Sequence, residues 1–136
     1  MSKKKIRFAV IGCGLMGREF ASAAARWCHL TKDIPAPVIV GVSDVNENAR
    51  NWFTDNFDSV KYSTADYREL LEKDDIDAVY CAVPHNLHKQ IYIDIINSGK
   101  HLLGEKPFGI DIEANRAIME AIKAHPEVMV RCSSEF

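Results

Sequence analysis

Apolar residues follow two alternating rhythms along this chain. Short, β-branched runs at Ile6–Ile11, Val38–Val42, Ala78–Val83, His101–Leu103 and Val128–Arg131 have the near-continuous apolar character of strands covered on both faces. Between them apolar residues recur three and four apart, which predicts helices over Leu15–Cys28, Asn46–Asn56, Asp66–Glu72, Leu87–Ser98 and Ile112–Ala124. In the second of these, Ala49, Trp52 and Phe53 share one face. A further short strand is expected near Val60–Tyr62. The prolines of Ile34-Pro35-Ala36-Pro37 bar the first helix from running on, and Gly99 can cap the fourth. Strands that alternate with helices predict an α/β fold, a doubly wound and mostly parallel sheet with right-handed crossovers and helices on both faces.

Composition narrows the class further. The 136 residues suit one domain over 1–136, and 47% hydrophobic with 26% charged residues is the balance of a soluble globular protein. Disorder, collagen-like repeats and coiled coil are disfavoured, and no internal repeat or membrane-spanning run occurs. A net charge of −2 gives no general attraction to nucleic acid or an anionic membrane. Cys13, Cys28, Cys81 and Cys132 form no CxxC pair and no zinc-ligand spacing, so no metal site is expected. Three of the four lie in apolar runs and are expected to be buried free thiols, which fits a cytoplasmic location. Lys3-Lys4-Lys5, Phe8–Gly17 and Ala21-Ser22-Ala23 imitate a secretory signal. Arg7 ahead of that apolar run and Arg18-Glu19 behind it argue against the imitation.

The candidate chemistry begins at Gly12-Cys13-Gly14-Leu15-Met16-Gly17, a GxGxxG that follows the first strand and opens the first helix. In that setting Gly12 serves the tight turn, Gly14 the close approach of a pyrophosphate, and Gly17 the packing of helix on strand. The amides at Leu15, Met16 and Gly17 then meet the anion at the positive end of the helix dipole. Asp44 closes the second strand, where a carboxylate accepts both ribose hydroxyls of an adenosine and repels a 2′-phosphate. Val45-Asn46 follow it, with no arginine at once, so NAD is favoured over NADP. Two plainer readings compete: a ligand-free turn with Asp44 as a helix N-cap, and an S-adenosylmethionine site with its own glycine turn and acidic ribose ligand.

Two later segments fall at C-terminal ends of strands, where open α/β sheets place ligands. They are Cys81-Ala82-Val83-Pro84-His85-Asn86-Leu87-His88 and Gly104-Glu105-Lys106-Pro107. Glu105-Lys106-Pro107 alone would pass for a solvated turn. With the glycine turn, Asp44 and Pro84 to His88, it makes the chain resemble the glucose–fructose oxidoreductase / inositol dehydrogenase (Gfo/Idh/MocA) family from Ile6 to about Arg131.

The resemblance implies an NAD(P)-dependent oxidoreductase acting on a secondary alcohol of a sugar, inositol or related polyol. It gives Lys106 the place beside nicotinamide and substrate, where an ammonium can hydrogen-bond the reacting oxygen and stabilise alkoxide charge. It implies cofactor contacts at Val83, Pro84, Glu105, Lys106 and Pro107, the last through a possible cis Lys106–Pro107 bond. The family more often reads Pro-Asn-x-x-His. Here Pro84-His85-Asn86-Leu87-His88 displaces the asparagine by one, so the roles of Asn86 and His88 are less direct, and His88 could equally cap or pack the fourth helix. His29, His101 and His125 show no partner pattern. The resemblance further implies a substrate domain outside these 136 residues, carrying an Asp/His pair and supporting a homo-oligomer. On this reading the chain binds NAD(H) and turns over little alone. A non-catalytic NAD-binding regulatory module is the alternative.

Overall fold

The computed structural model describes residues 4–133; Lys3 of the basic segment and Ser134–Phe136 of the tail lie outside the described residues. Six strands, β1 (Lys5–Ile11), β2 (Ala36–Ser43), β3 (Tyr62–Thr64), β4 (Ala78–Cys81), β5 (His101–Gly104) and β6 (Val130–Cys132), form one sheet in the order 3-2-1-4-5-6. Every pairing is parallel. The helices are α1 (Leu15–Ala25), α2 (Glu47–Asn56), α3 (Tyr67–Leu71), α4 (His88–Asn97) and α5 (Ile112–Ala124). This is the doubly wound arrangement, with its switch point between β1 and β4.

Alternation along the strands divides the core in two. Ala9 and Ile11 of β1, with Val79 and Cys81 of β4, pack under α3, α4 and α5 around Tyr92, Ile95 and Ile118. Val10 of β1 and Tyr80 of β4 face the other way, against Ala21 of α1 and Phe53 of α2. Phe20 of α1 stacks on Tyr80 with ring centroids 4.4 Å apart. At the amino-terminal end of the sheet, Arg7 holds Asp77 by two side-chain hydrogen bonds of 3.0 and 2.9 Å. That guanidinium keeps the Asp77 carboxyl below the usual carboxylate range.

The element boundaries differ from the sequence reading where tertiary contacts decide. The first helix ends at Ala25 and tightens into a 3-10 turn over Arg26–His29 instead of running to Cys28. That turn exposes Cys28, so two cysteines, Cys13 and Cys81, are buried where three were expected. Burial pushes both of those thiols up to about 12. The second strand starts two residues early and takes in Pro37. Ala36 donates its N–H to Lys4 across the ladder, and β3 pairs only with Gly41–Ser43, so the absent proline N–H costs no sheet bond. The third strand lies at Tyr62–Thr64 because Val60 closes a turn onto Phe57. The fourth strand ends at Cys81 where Val83 was expected, although Ala82 still donates to Ile11. The fifth runs on to Gly104, and the sixth begins at Val130, after a turn in which Val128 bonds His125. The apolar stretch that imitates a secretory signal folds as β1, the glycine turn and the start of α1.

Candidate functional site at the sheet switch point

The glycine turn is built from close approaches that a side chain would block. Gly12 has φ +97, and a Cβ there would stand 2.2 Å from the Ala82 carbonyl oxygen. A Cβ on Gly17 would stand 2.2 Å from the Gly12 oxygen. Gly14 differs: its φ is ordinary and a Cβ would meet nothing within 4 Å. Among the described residues no packing contact requires glycine there, and the space beside it is open. Caps tell the same story. Asn46, Asp66 and Asp111 each accept a first-turn N–H at the start of α2, α3 and α5. Gly14 precedes α1 with no side-chain cap and no acidic residue in the first turn, leaving the Leu15, Met16 and Gly17 amides for an anion.

Asp44 sits beside that turn. Its Oδ2 accepts from the Cys13 amide at 2.8 Å and its Oδ1 from the Asn46 amide at 2.9 Å. The N-cap of α2 is Asn46, not Asp44. The carboxylate therefore ties the second strand end to the glycine turn, and each oxygen keeps lone-pair capacity toward the open side.

A cleft of about 710 Å³ runs from this point across the switch. Gly12, Gly14 and Asp44 line one side of it, Val83, Pro84 and Leu87 another. Tyr67 and Arg68 of α3 and Gln90 of α4 close its wall. A second hollow of about 190 Å³ shares Ala82 and Val83 with the cleft and adds Met16, His85, Glu105 and Lys106. Met16, Val45 and Leu87 on the rim are 44%, 88% and 43% exposed, apolar surface that a bound ligand would cover. Lys106 is exposed and, among the described residues, has no carboxylate within ion-pairing distance. Its bond to Pro107 is cis.

Glu105 does not simply face solvent. The Tyr80 hydroxyl donates to its Oε1, and burial holds that phenol well above its ordinary range, so it stays a donor. Pro107 and Asn86 are exposed and line neither hollow. His88, the first residue of α4, is fully buried, with each ring nitrogen facing a backbone carbonyl. The structure thus brings Gly12, Gly14, Met16, Asp44, Val83, Pro84, Glu105 and Lys106 to one continuous trough, with Leu15 and Gly17 in the first turn of α1 behind it. It leaves Asn86, His88 and Pro107 outside.

Arg68, Gln90 and His85 were not singled out from the sequence. α3 puts Arg68, which pairs with Asp66 at 3.6 Å, on the wall of the cleft that Asp44 also lines; Gln90 lies on a helix surface with no motif of its own. Among the described residues there is no group of three or more His, Cys, Asp or Glu suited to a metal ion, and no helix long and apolar enough to cross a membrane.

Comparison with known proteins agrees with this geometry. The model of the Gfo/Idh/MocA oxidoreductase family, NAD-binding Rossmann fold, matches residues 6–132. A levoglucosan dehydrogenase of Pseudarthrobacter phenanthrenivorans is 31% identical over 126 residues, covering 88% of this chain and 31% of that protein. The NADP(+) scyllo-inositol 2-dehydrogenase IolU of Bacillus subtilis is 30% identical over 125 residues, covering 92% of this chain and 36% of the other. The structure of scyllo-inositol dehydrogenase from Lactobacillus casei with bound NAD(H) and scyllo-inositol superposes with a TM-score of 0.84 at 26% identity, over 96% of this chain and 36% of that one. The chain spans about a third of the length of the relatives it matches. With the glycine turn, the parallel 3-2-1-4-5-6 sheet and the Glu-Lys-Pro turn at its carboxyl end all in place, the chain belongs to the Gfo/Idh/MocA oxidoreductase family, as an NAD-binding Rossmann domain.

Proposed function

We propose that this chain is the cofactor-binding half of an oxidoreductase that moves a hydride between NAD and a secondary alcohol of a sugar, inositol or similar polyol. The observation that carries this is Gly14: an uncapped helix N-terminus preceded by a glycine that the protein's own packing does not need. The backbone amides of Leu15 to Gly17 would hold the pyrophosphate, and Asp44 the adenosine ribose. Asp44 supports NAD over NADP, because a 2′-phosphate beside a carboxylate is repelled. Relatives of both preferences exist, and Arg68 on the same wall is the group that would oppose Asp44.

When bound, the nicotinamide supplies the hydride acceptor or donor. Lys106 then acts on the substrate: its ammonium, with no ion-pairing carboxylate among the described residues, donates to the alcohol oxygen and stabilises negative charge developing there. Val83, Glu105 and Met16 shape the hollow around it. Named relatives act on levoglucosan and scyllo-inositol, which supports a polyol as substrate. The same reading places a substrate domain and a homo-oligomeric partner outside the cleft. Free Cys13, Cys28, Cys81 and Cys132 support a cytoplasmic location.

In a protein joining this domain to its substrate surface, Lys106→Ala should lower kcat by about a hundredfold or more with little change in NAD+ affinity. Steady-state kinetics beside a cofactor titration checks this. A variant that loses affinity and keeps kcat would make Lys106 a binding residue.

A further inference from the structure

The Glu105-Lys106-Pro107 turn is fastened from beneath by one helix. His88 and Tyr92 lie one turn apart on α4, both with no exposed surface, and their rings stack with centroids 4.6 Å apart and an interplanar angle of 23°. The Tyr92 hydroxyl donates to the Glu105 carbonyl oxygen at 2.7 Å. The His88 Nδ1 stands 2.6 Å from the Pro107 carbonyl oxygen. These carbonyls belong to the residues on either side of Lys106. The other ring nitrogen, Nε2, stands 3.0 Å from the Val83 carbonyl oxygen, in the loop after β4. Both groups facing the imidazole, at Pro107 and Val83, are carbonyls, so a proton on either ring nitrogen fastens one loop and protons on both fasten two.

The surroundings leave this pair little freedom. A Cβ on Gly104 would lie 2.7 Å from the Tyr92 ring and hydroxyl, so glycine at the end of β5 is what lets the phenol reach Glu105. Phe108, just past the turn, packs at 5.5 Å from Tyr92. On the opposite face Tyr80 holds the Glu105 side chain. The backbone around Lys106 is thereby bound to α4, whose His88 ring also abuts the Val83 carbonyl on the other wall of the hollow that Lys106 lines.

We propose that His88 and Tyr92 are positioning residues, which set the place of the Lys106 ammonium by fixing the carbonyls of Glu105 and Pro107, the residues on either side of it, and seating that anchor against the Val83 loop. This rests on the reading of the Lys106 hollow as the nicotinamide end of the cofactor cleft. His88 then acts without touching cofactor, which accounts for a buried histidine so close to the site.

The test uses this chain with NADH and with ADP-ribose, which lacks the nicotinamide. Tyr92→Phe removes one hydrogen bond and keeps the ring; His88→Phe removes the imidazole's hydrogen bonding; His88→Gln restores one donor. In Tyr92→Phe and His88→Phe the Val83 and Glu105 walls of the nicotinamide hollow lose their anchor, so the preference for NADH over ADP-ribose should fall by about threefold or more with ADP-ribose affinity held. Lys106→Ala, which leaves those walls fixed, should hold both. Amide exchange over residues 105–109 should rise about tenfold while β1 and β4 stay protected. His88→Gln should recover part of both. If His88→Phe fails to fold, Tyr92→Phe decides alone. An unchanged preference and unchanged exchange at the turn would overturn the proposal. So would equal loss of both ligands with exchange rising throughout, which is the signature of general destabilisation. If the unmodified chain binds neither ligand, the cofactor reading fails, and exchange at the turn alone decides whether α4 holds it.

Discussion

Gly12→Ala should destabilise the fold by about 3–5 kcal/mol, whereas Gly14→Ala should leave its melting transition in place and abolish cofactor binding. The two glycines are two residues apart and look alike as sequence. Their surroundings separate them. At Gly12 the backbone has φ +97, unfavourable for an L side chain, and the added methyl would press on the Ala82 carbonyl, part of the main chain leaving β4. Neither neighbour can swing aside as a side chain would. Domains of this size are stable by about 5–15 kcal/mol, so a drop of roughly 10–20 °C in Tm is the expected scale. At Gly14 the methyl meets no protein atom within 4 Å. It would stand in the path of a pyrophosphate and hold it off the α1 amides, so NAD+ affinity should fall at least about tenfold. Circular dichroism melts and calorimetric titrations of both variants check the contrast. Native affinity in Gly14→Ala would remove the helix terminus from the site.

Asp44→Ala carries the second large effect, and it acts on two quantities. It removes the acceptor for the Cys13 and Asn46 amides, so stability should fall by about 1–3 kcal/mol. NAD+ affinity should fall by a similar amount through the lost ribose contact. Specificity separates the two roles. With the carboxylate gone and Arg68 still on the wall, the NAD+ to NADP+ preference should shift toward NADP+ by about tenfold or more. Parallel titrations with the two cofactors read this directly. Loss of stability with an unchanged preference would confine Asp44 to bracing the glycine turn.

Much of this was legible because it is local. The Gly12–Gly17 turn shows its strand and helix within a few residues, and the alternation of apolar runs with amphipathic stretches dictates a parallel sheet. Asp44 and Lys106 stand at strand ends that the same alternation locates. What escaped depends on contacts across the fold. Tyr62–Thr64 pairs as a strand although it is more polar than Val60, because a short edge strand needs only a ladder on one side. The 3-10 turn at Arg26–His29 follows from the return of the chain toward β2, which local helix propensity does not encode. Arg68 reaches the cleft through the crossover between β3 and β4. For His88 the sequence offers a cofactor contact, a cap or a packing role at the start of the fourth helix without naming what it packs on, and the structure buries it. Its partner Pro107 lies 19 residues away and is joined to it only once α4 packs against the end of β5. Such a contact leaves no periodicity to find.

The central claim is that this chain binds a nicotinamide dinucleotide at the switch point between β1 and β4. Isothermal titration of the folded chain with NAD+, with NADP+ in parallel, tests it most directly. Saturable one-to-one binding with preference for NAD+, lost in Gly14→Ala, is the predicted result. A demonstrably folded chain that takes up neither dinucleotide would contradict it.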